Sequence, residues 1–243
     1  MKILGISNGS THGNSETLLK AALFAAQSAD PSISISLIRT FDVSVPRNPS
    51  PLTGTQDITS SLIGLPTGKS ESNANGSTSS FQVPDDRRAV LDALLDADAI
   101  ILSSAIYSRQ PPGPLKNLTD RILGPFTDPS FAYRASEARQ GRGDPKHADA
   151  RFDERLLKPR VAGFIAIGGS PERNTEQFTM ALPTMHVLVG SLHAKVVDQC
   201  LLKGYAMPGA VLLDGGEAVA RAEELGRNVA SQIGKGFEEA RYL

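Results

Sequence analysis

The chain has 243 residues, a formal net charge of -1, 40% hydrophobic residues and 21% charged ones. That balance suits a globular protein with a substantial core. It removes the electrostatic basis for binding nucleic acid or a membrane surface, and for an acidic electron shuttle that docks on basic partners. A single cysteine, Cys200, excludes an intrachain disulfide and a cysteine-ligated zinc or iron–sulfur centre.

The predicted elements alternate strand and helix. Residues 3–6 form a first strand and residues 14 to about 28 a first helix. Alternation over 33–38 gives a second strand. Val90, Leu91, Leu94 and Leu95 share one face of a helix over 85–97. The continuous apolar run 99–102 predicts a central third strand. A short helix over 114–123 starts near Pro114. Residues 161–167 form strand four, and 176–189 a helix that Pro183 should kink or split. Strand five covers 194–197, and a long helix 216–240 ends the pattern.

This order predicts one α/β domain, a doubly wound five-stranded parallel sheet with two insertions, at about 40–84 and 124–159. Within the first insertion, 55–65 suggests a brief helix, and the Ser/Asn-rich stretch 67–80 is expected to be mobile. The second insertion is charged but balanced, and is expected to border the open side of the site. No apolar run is long enough for a bilayer span, and no leader-like segment is evident, so an intracellular, cytoplasmic protein is expected.

Chemistry concentrates in three strand-end loops. The first strand runs into Ser7-Asn8-Gly9-Ser10-Thr11-His12-Gly13-Asn14-Ser15-Glu16-Thr17 and then directly into the first helix. Glycine, hydroxyl and amide residues at a helix N-terminus converge backbone N–H groups and the helix dipole on one place, a phosphate site. Ser10, Asn14, Ser15 and Thr17 are therefore either phosphate contacts or plain turn and cap residues. The loop after strand three carries Ile106, Tyr107, Ser108, Arg109 and Gln110. Tyr107 offers a ring face and a hydroxyl, or simply packs in the core. Arg109 is either a solvated charge or a contact to a nicotinamide cofactor or substrate. The third loop has Gly168, Gly169 and Ser170, which allow close backbone approach or only a turn. In sheets of this type ligands bind where the strand order reverses, between strands one and three, and the two most distinctive loops follow those strands. No Ser/His/Asp set and no metal-ligand spacing stand out.

The chain resembles the NADPH-dependent FMN reductase family of flavodoxin-like flavoproteins. The resemblance rests on Gly5-Ile6-Ser7 through Gly13-Asn14-Ser15, on Ile106-Tyr107 with 112–121, on Gly168-Gly169, and on Pro208-Gly209-Ala210-Val211 with 222–230. It is nearest in pattern to the iron–sulfur flavoproteins, whose cysteine cluster is missing here. His12 stands where relatives often carry Arg, and Ala105 where a proline is common. The resemblance implies FMN as cofactor, NADPH or NADH as co-substrate, and hydride transfer to a quinone, flavin or other small electrophile. The flavin carries the chemistry, so no catalytic side chain is named, and His12 joins the cofactor-binding set. It also implies a homodimer or homotetramer. The alternatives are a flavin-dependent oxidase or dehydrogenase of a biosynthetic intermediate, and a flavodoxin-type electron carrier.

Overall fold

The computed structural model describes residues 1–45, 86–123, 134, 136–145, 154–170 and 175–235. The apolar runs become five parallel strands: β1 (Lys2–Asn8), β2 (Ser34–Arg39), β3 (Ala99–Ile106), β4 (Arg160–Gly168) and β5 (Ala194–Leu202). They hydrogen-bond in the order β2-β1-β3-β4-β5, the expected flavodoxin-like sheet with its reversal between β1 and β3. Helices α1 (Asn14–Ala29), α2 (Arg87–Asp96), α3 (Gly113–Leu118), α4 (Ala181–Gly190) and α5 (Glu217–Gln232) flank it. No helix among the described residues is long and apolar enough to cross a membrane.

Two apolar layers follow from the alternation of side chains along the strands. Ile3, Ala99, Ile101 and Ile165 pack with Leu18, Leu19 and Ala22 of α1 and with Ala222, Leu225 and Val229 of α5. On the other face, Leu4, Ile6, Ile100, Leu102 and Phe164 meet α2, α3 and α4 through Leu91, Leu94, Leu115, Met185 and Leu188. Each fully buried Val, Leu, Ile, Phe or Met among them contributes about 1.5–3 kcal/mol. Two glycines set how closely α5 approaches. A Cβ on Gly226 would lie 2.0 Å from the carbonyl oxygen of Ala22 in α1, and one on Gly163 would lie 2.9 Å from Leu225 and Val229.

Several boundaries differ from expectation. β3 continues through Ser103 and Ser104 to Ile106, because both serines are fully buried and hydrogen-bonded. The helix over 176–189 is in fact a 3₁₀ turn, Thr175–Phe178, followed by α4. Pro183 sits in the first turn of α4, where its missing N–H costs nothing, so it introduces no kink. The helix over 114–123 is α3 followed by one π-helical turn, Thr119–Leu123.

β5 is nine residues long rather than four. Its register shifts, Ala162 facing Val196 but Gly163 facing Asp198, so Val197 is an extra, bulged residue. The shift reverses the faces of the strand. Ala194 and Val196 pack on the α2–α4 side, whereas Val197, Cys200 and Leu202 pack on the α1–α5 side.

The expected helix at 55–65 and mobile stretch at 67–80 lie outside the described residues. Of the second insertion, the part at 154–158 runs along the N-terminal edge of the sheet. There Arg155 bridges Asp92 and Asp96, and Lys158 bridges Asp98. This end of the insertion lies opposite the strand ends that carry the three loops.

Candidate functional site

The carboxyl ends of β1, β3, β4 and β5 surround a cleft of about 590 Å³. It is lined by Ser10, His12, Asn14 and Ser15, by Ile106, Tyr107 and Ser108, and by Gly169 and Ser170. These nine expected residues are thus brought together. Four others are not in its wall. Thr17 is one turn further along α1, Gly168 is the last residue of β4, and Arg109 and Gln110 stand beyond Ser108 on the rim side. Sequence reasoning missed Tyr205, Ala206 and Pro208, which complete the wall from the loop after β5. Their signal was positional: β5 ends beside β4, at the same edge of the sheet.

The floor has the donor geometry of an anion cradle. Gly13 caps α1 without a side-chain cap, so the first-turn N–H groups of Asn14, Ser15 and Glu16 face the cleft end of the helix. Gly9 gives Ser15 its place, since a Cβ there would lie 2.0 Å from Ser15 Oγ. Behind the cradle, a buried network fixes the strand ends. Asn8 Nδ2 donates to Ser104 Oγ (3.0 Å) and to the carbonyl of Pro112 (3.3 Å), Thr40 Oγ1 donates to Asn8 Oδ1 (2.6 Å), and Ser103 Oγ donates to the Ser15 carbonyl (2.8 Å).

Glu16 is fully buried under this turn. Its carboxylate accepts from Arg39 Nε and Nη2 (2.9 and 2.8 Å), from the His12 N–H (3.3 Å), and lies 2.6 Å from Lys20 Nζ. It holds His12 at φ 60 in the left-handed region. The Arg39 hydrogen bonds chiefly, against burial, bring its pKa from 4.5 down to about 2. Asp42 lies 3.7 Å from Arg39 Nη1, so two cations meet two carboxylates here and the donors left for an anion are the first-turn N–H groups. Because the folded-state pKa is depressed, the stabilisation is present above pH 4.5 and fades as pH falls toward 2. Glu16→Gln is therefore expected to lower stability at pH 7 and to flatten its decline between pH 5 and 2. Urea melts at pH 7 and 3 check this, and parallel pH profiles would refute it.

Asn14 does not aim its amide N–H groups at the cradle. Nδ2 donates to the carbonyls of Tyr205 (3.3 Å) and Met207 (2.9 Å), pinning the β5 loop to the start of α1. Its Oδ1 is buried with no protein partner, an acceptor suited to a hydroxyl donor rather than to phosphate oxygen. Tyr205 fixes the same loop from the other side. Its hydroxyl donates to Asp214 Oδ2 (2.7 Å), and Asp214 accepts the N–H groups of Gly216 and Ala218 at the start of α5. Burial and the Asp214 carboxylate push the Tyr205 phenol up to about 12.

The opposite wall is a two-residue hairpin. Tyr107 and Gln110 exchange both backbone hydrogen bonds at 2.9 Å, with Ser108 at φ 49 and Arg109 at φ 67. Such turns favour Asn-Gly, and left-handed non-glycine residues cost on the order of 1 kcal/mol each. The hairpin leans on α4 through a hydrogen bond from Thr184 Oγ1 to Gln110 Oε1 (3.3 Å). Tyr107 is 60% exposed, so it is a rim residue and not part of the core. Donors for an anion at one end and a tyrosine hairpin facing a glycine loop at the other fit a phosphate-bearing ligand with a planar ring.

A larger groove, about 770 Å³, runs between β5 and α5. Two of its cations are already paired, Arg221 with Asp198 and Glu224 and Arg227 with Glu223, and a single strand end, that of β5, reaches its wall. Among the described residues no group of His, Cys, Asp and Glu could hold a metal ion.

A model of the NADPH-dependent FMN reductase family matches residues 1–206. The flavone synthase cfoJ of Aspergillus candidus is 37% identical over 245 residues, covering 100% of this chain and 68% of that protein. A solved flavone reductase aligns with a TM-score of 0.64 at 24% identity, covering 100% of this chain and 66% of the other. RosB, solved with bound 8-demethyl-8-formylriboflavin-5'-phosphate, aligns with a TM-score of 0.58 at 12% identity, covering 100% of this chain and 82% of the other. The two structural likenesses show the fold. The chain spans about two thirds of the length of the two flavone enzymes.

Proposed function

The chain belongs to the NADPH-dependent FMN reductase family, and from that premise we propose that the switch-point cleft is its FMN site. The family makes it an oxidoreductase with FMN as cofactor and a reduced nicotinamide nucleotide as reductant. The observation that carries the site is the convergence of the α1 first turn, the Tyr107 hairpin and the Gly169 loop on one cleft. Ser10, His12, Ser15 and the first-turn N–H groups would hold the phosphate. Asn14 Oδ1 would accept from a ribityl hydroxyl, and Ile106, Tyr107, Ser108, Gly169 and Ser170 would flank the ring. When bound, FMN supplies a two-electron carrier that takes hydride from NAD(P)H and delivers it to an acceptor. The protein binds, orients and admits substrates.

For the acceptor we propose a planar electrophile, either a quinone or a phenolic enone of flavone type. The exposed rim residues Tyr107 and Met207 suit such a flat apolar molecule. Two similar proteins carry names that describe forming and reducing flavones. The first of those names favours a second reading, in which the flavin is reduced by a dihydro substrate and reoxidised by dioxygen. Anaerobic mixing separates the two. Bleaching of the yellow band by NADPH, reversed by a quinone or flavone, is the expected result. Bleaching by a dihydroflavone but not by NADPH would select the oxidase. No bleaching by either would leave an electron carrier.

Asn14→Ala is expected to weaken FMN about ten-fold, because it frees the 205–207 loop and removes the hydroxyl acceptor. Fluorescence titration of the folded variant checks this. Unchanged affinity would remove Asn14 from the site.

A further inference from the structure

We propose that Arg109 recognises a phosphate group of the nicotinamide nucleotide, taking it in exchange for Glu176. The proposal rests on the cleft being the flavin site and adds what binds at its mouth. Three observations carry it. Ser108 and Arg109 are consecutive non-glycine residues at φ 49 and 67, in a turn for which Asn-Gly is the relaxed choice. Strain of this kind persists where a side chain is needed for something else.

The ion pair that Arg109 makes among the described residues does not repay that strain. Arg109 Nη2 lies 3.3 Å from Glu176 Oε2, with the two side chains 53% and 67% exposed, and solvent screens such a pair. Finally, Tyr107 and Ser108 line the cleft and Arg109 does not, so its guanidinium stands at the rim beside the 3₁₀ turn that precedes α4. No lysine or arginine lines the cleft among the described residues, whereas a dinucleotide brings phosphates that call for one. A guanidinium fork takes phosphate through paired hydrogen bonds, and Glu176 keeps it in place until the nucleotide arrives.

The phosphate is either the 2'-phosphate, which only NADPH carries, or the pyrophosphate, which NADH shares. Wild type, Arg109→Gly and Arg109→Lys are compared with NADPH, NADH and the phosphate-free donor benzyl-dihydronicotinamide, using a neutral quinone as acceptor. NADP⁺ and NAD⁺ titrations and thermal melts are run in parallel. Arg109→Gly relaxes the turn and should raise the melting temperature by about 2–4 °C. The same variant should raise KM for NADPH, and the NADP⁺ dissociation constant, about ten-fold. Turnover with the phosphate-free donor should be unchanged, and Arg109→Lys should recover part of the affinity. A loss confined to NADPH assigns the 2'-phosphate, and one shared with NADH the pyrophosphate. Unchanged nucleotide affinity, or an equal loss with the phosphate-free donor, overturns the proposal. Failure to take up FMN would instead strike the cofactor site, while the NADP⁺ titration still reads Arg109.

Discussion

Replacing Gly226 with alanine is expected to destabilise the protein by about 3 kcal/mol and to weaken FMN binding with it. In an ordinary exposed helix the same change stabilises by about 1 kcal/mol. Here the new Cβ would lie 2.0 Å from the Ala22 carbonyl oxygen, 2.7 Å from its carbon and 2.9 Å from its Cα. All three are backbone atoms, so no rotamer change relieves the overlap and the helices must separate. α1 is the helix whose first turn forms the anion cradle, which is why a substitution in α5 should reach the ligand. Urea melts and FMN titration of the variant check both effects. Stability equal to or above wild type would show that the α1–α5 approach is not limiting.

Arg160→Met should cost about 3–5 kcal/mol while leaving FMN affinity of the folded fraction intact. The Arg160 side chain is 1% exposed. Its guanidinium donates to five carbonyls, those of Leu95, Arg155, Leu156, Lys158 and Leu192, at 2.6 to 3.5 Å. Leu95 lies in the last turn of α2 and Leu192 just beyond α4. Helix C-terminal ends carry partial negative charge, so these carbonyls compensate the buried cation. Methionine fills much of the space but leaves the carbonyls without donors. Arg160 sits at the N-terminal end of β4, across the sheet from the cleft, so the two variants should differ in ligand binding even if their stabilities are similar. A loss below about 1 kcal/mol would mean that water replaces the guanidinium at these carbonyls.

The parts of the fold that were legible in the sequence are those written in local periodicity. Alternating or continuous apolar runs located all five strands, and the Gly/Ser/Asn turn before Leu18 pointed to the turn that lines the cleft. What stayed hidden depends on partners remote in sequence. Ser103 and Ser104 read as loop residues because nothing local says that Ser15 and Asn8 will receive them inside the core. Asn14 read as a phosphate donor because its true acceptors lie 191 and 193 residues away. Nothing local marks Glu16 as a buried acid, since Arg39 meets it only once β2 lies beside β1. Strand five runs past 197 because a bulge lets Asp198 interrupt the alternation. The FMN family was visible from motif order, whereas the acceptor depends on the cleft mouth, where the motifs are silent.

That bulge also bears on how the protein behaves in company. β5 is an outermost strand, and an outermost strand presents unpaired N–H and C=O groups on which another chain can add. A visiting strand needs an unbroken ladder, and at Val197 the spacing of those groups is interrupted. The exposed lysine at 195 stands just before the break, adding charge where an added strand would have to settle. One inserted residue thus turns Asp198 toward Arg221 of α5 and leaves this border of the sheet a poor template for aggregation.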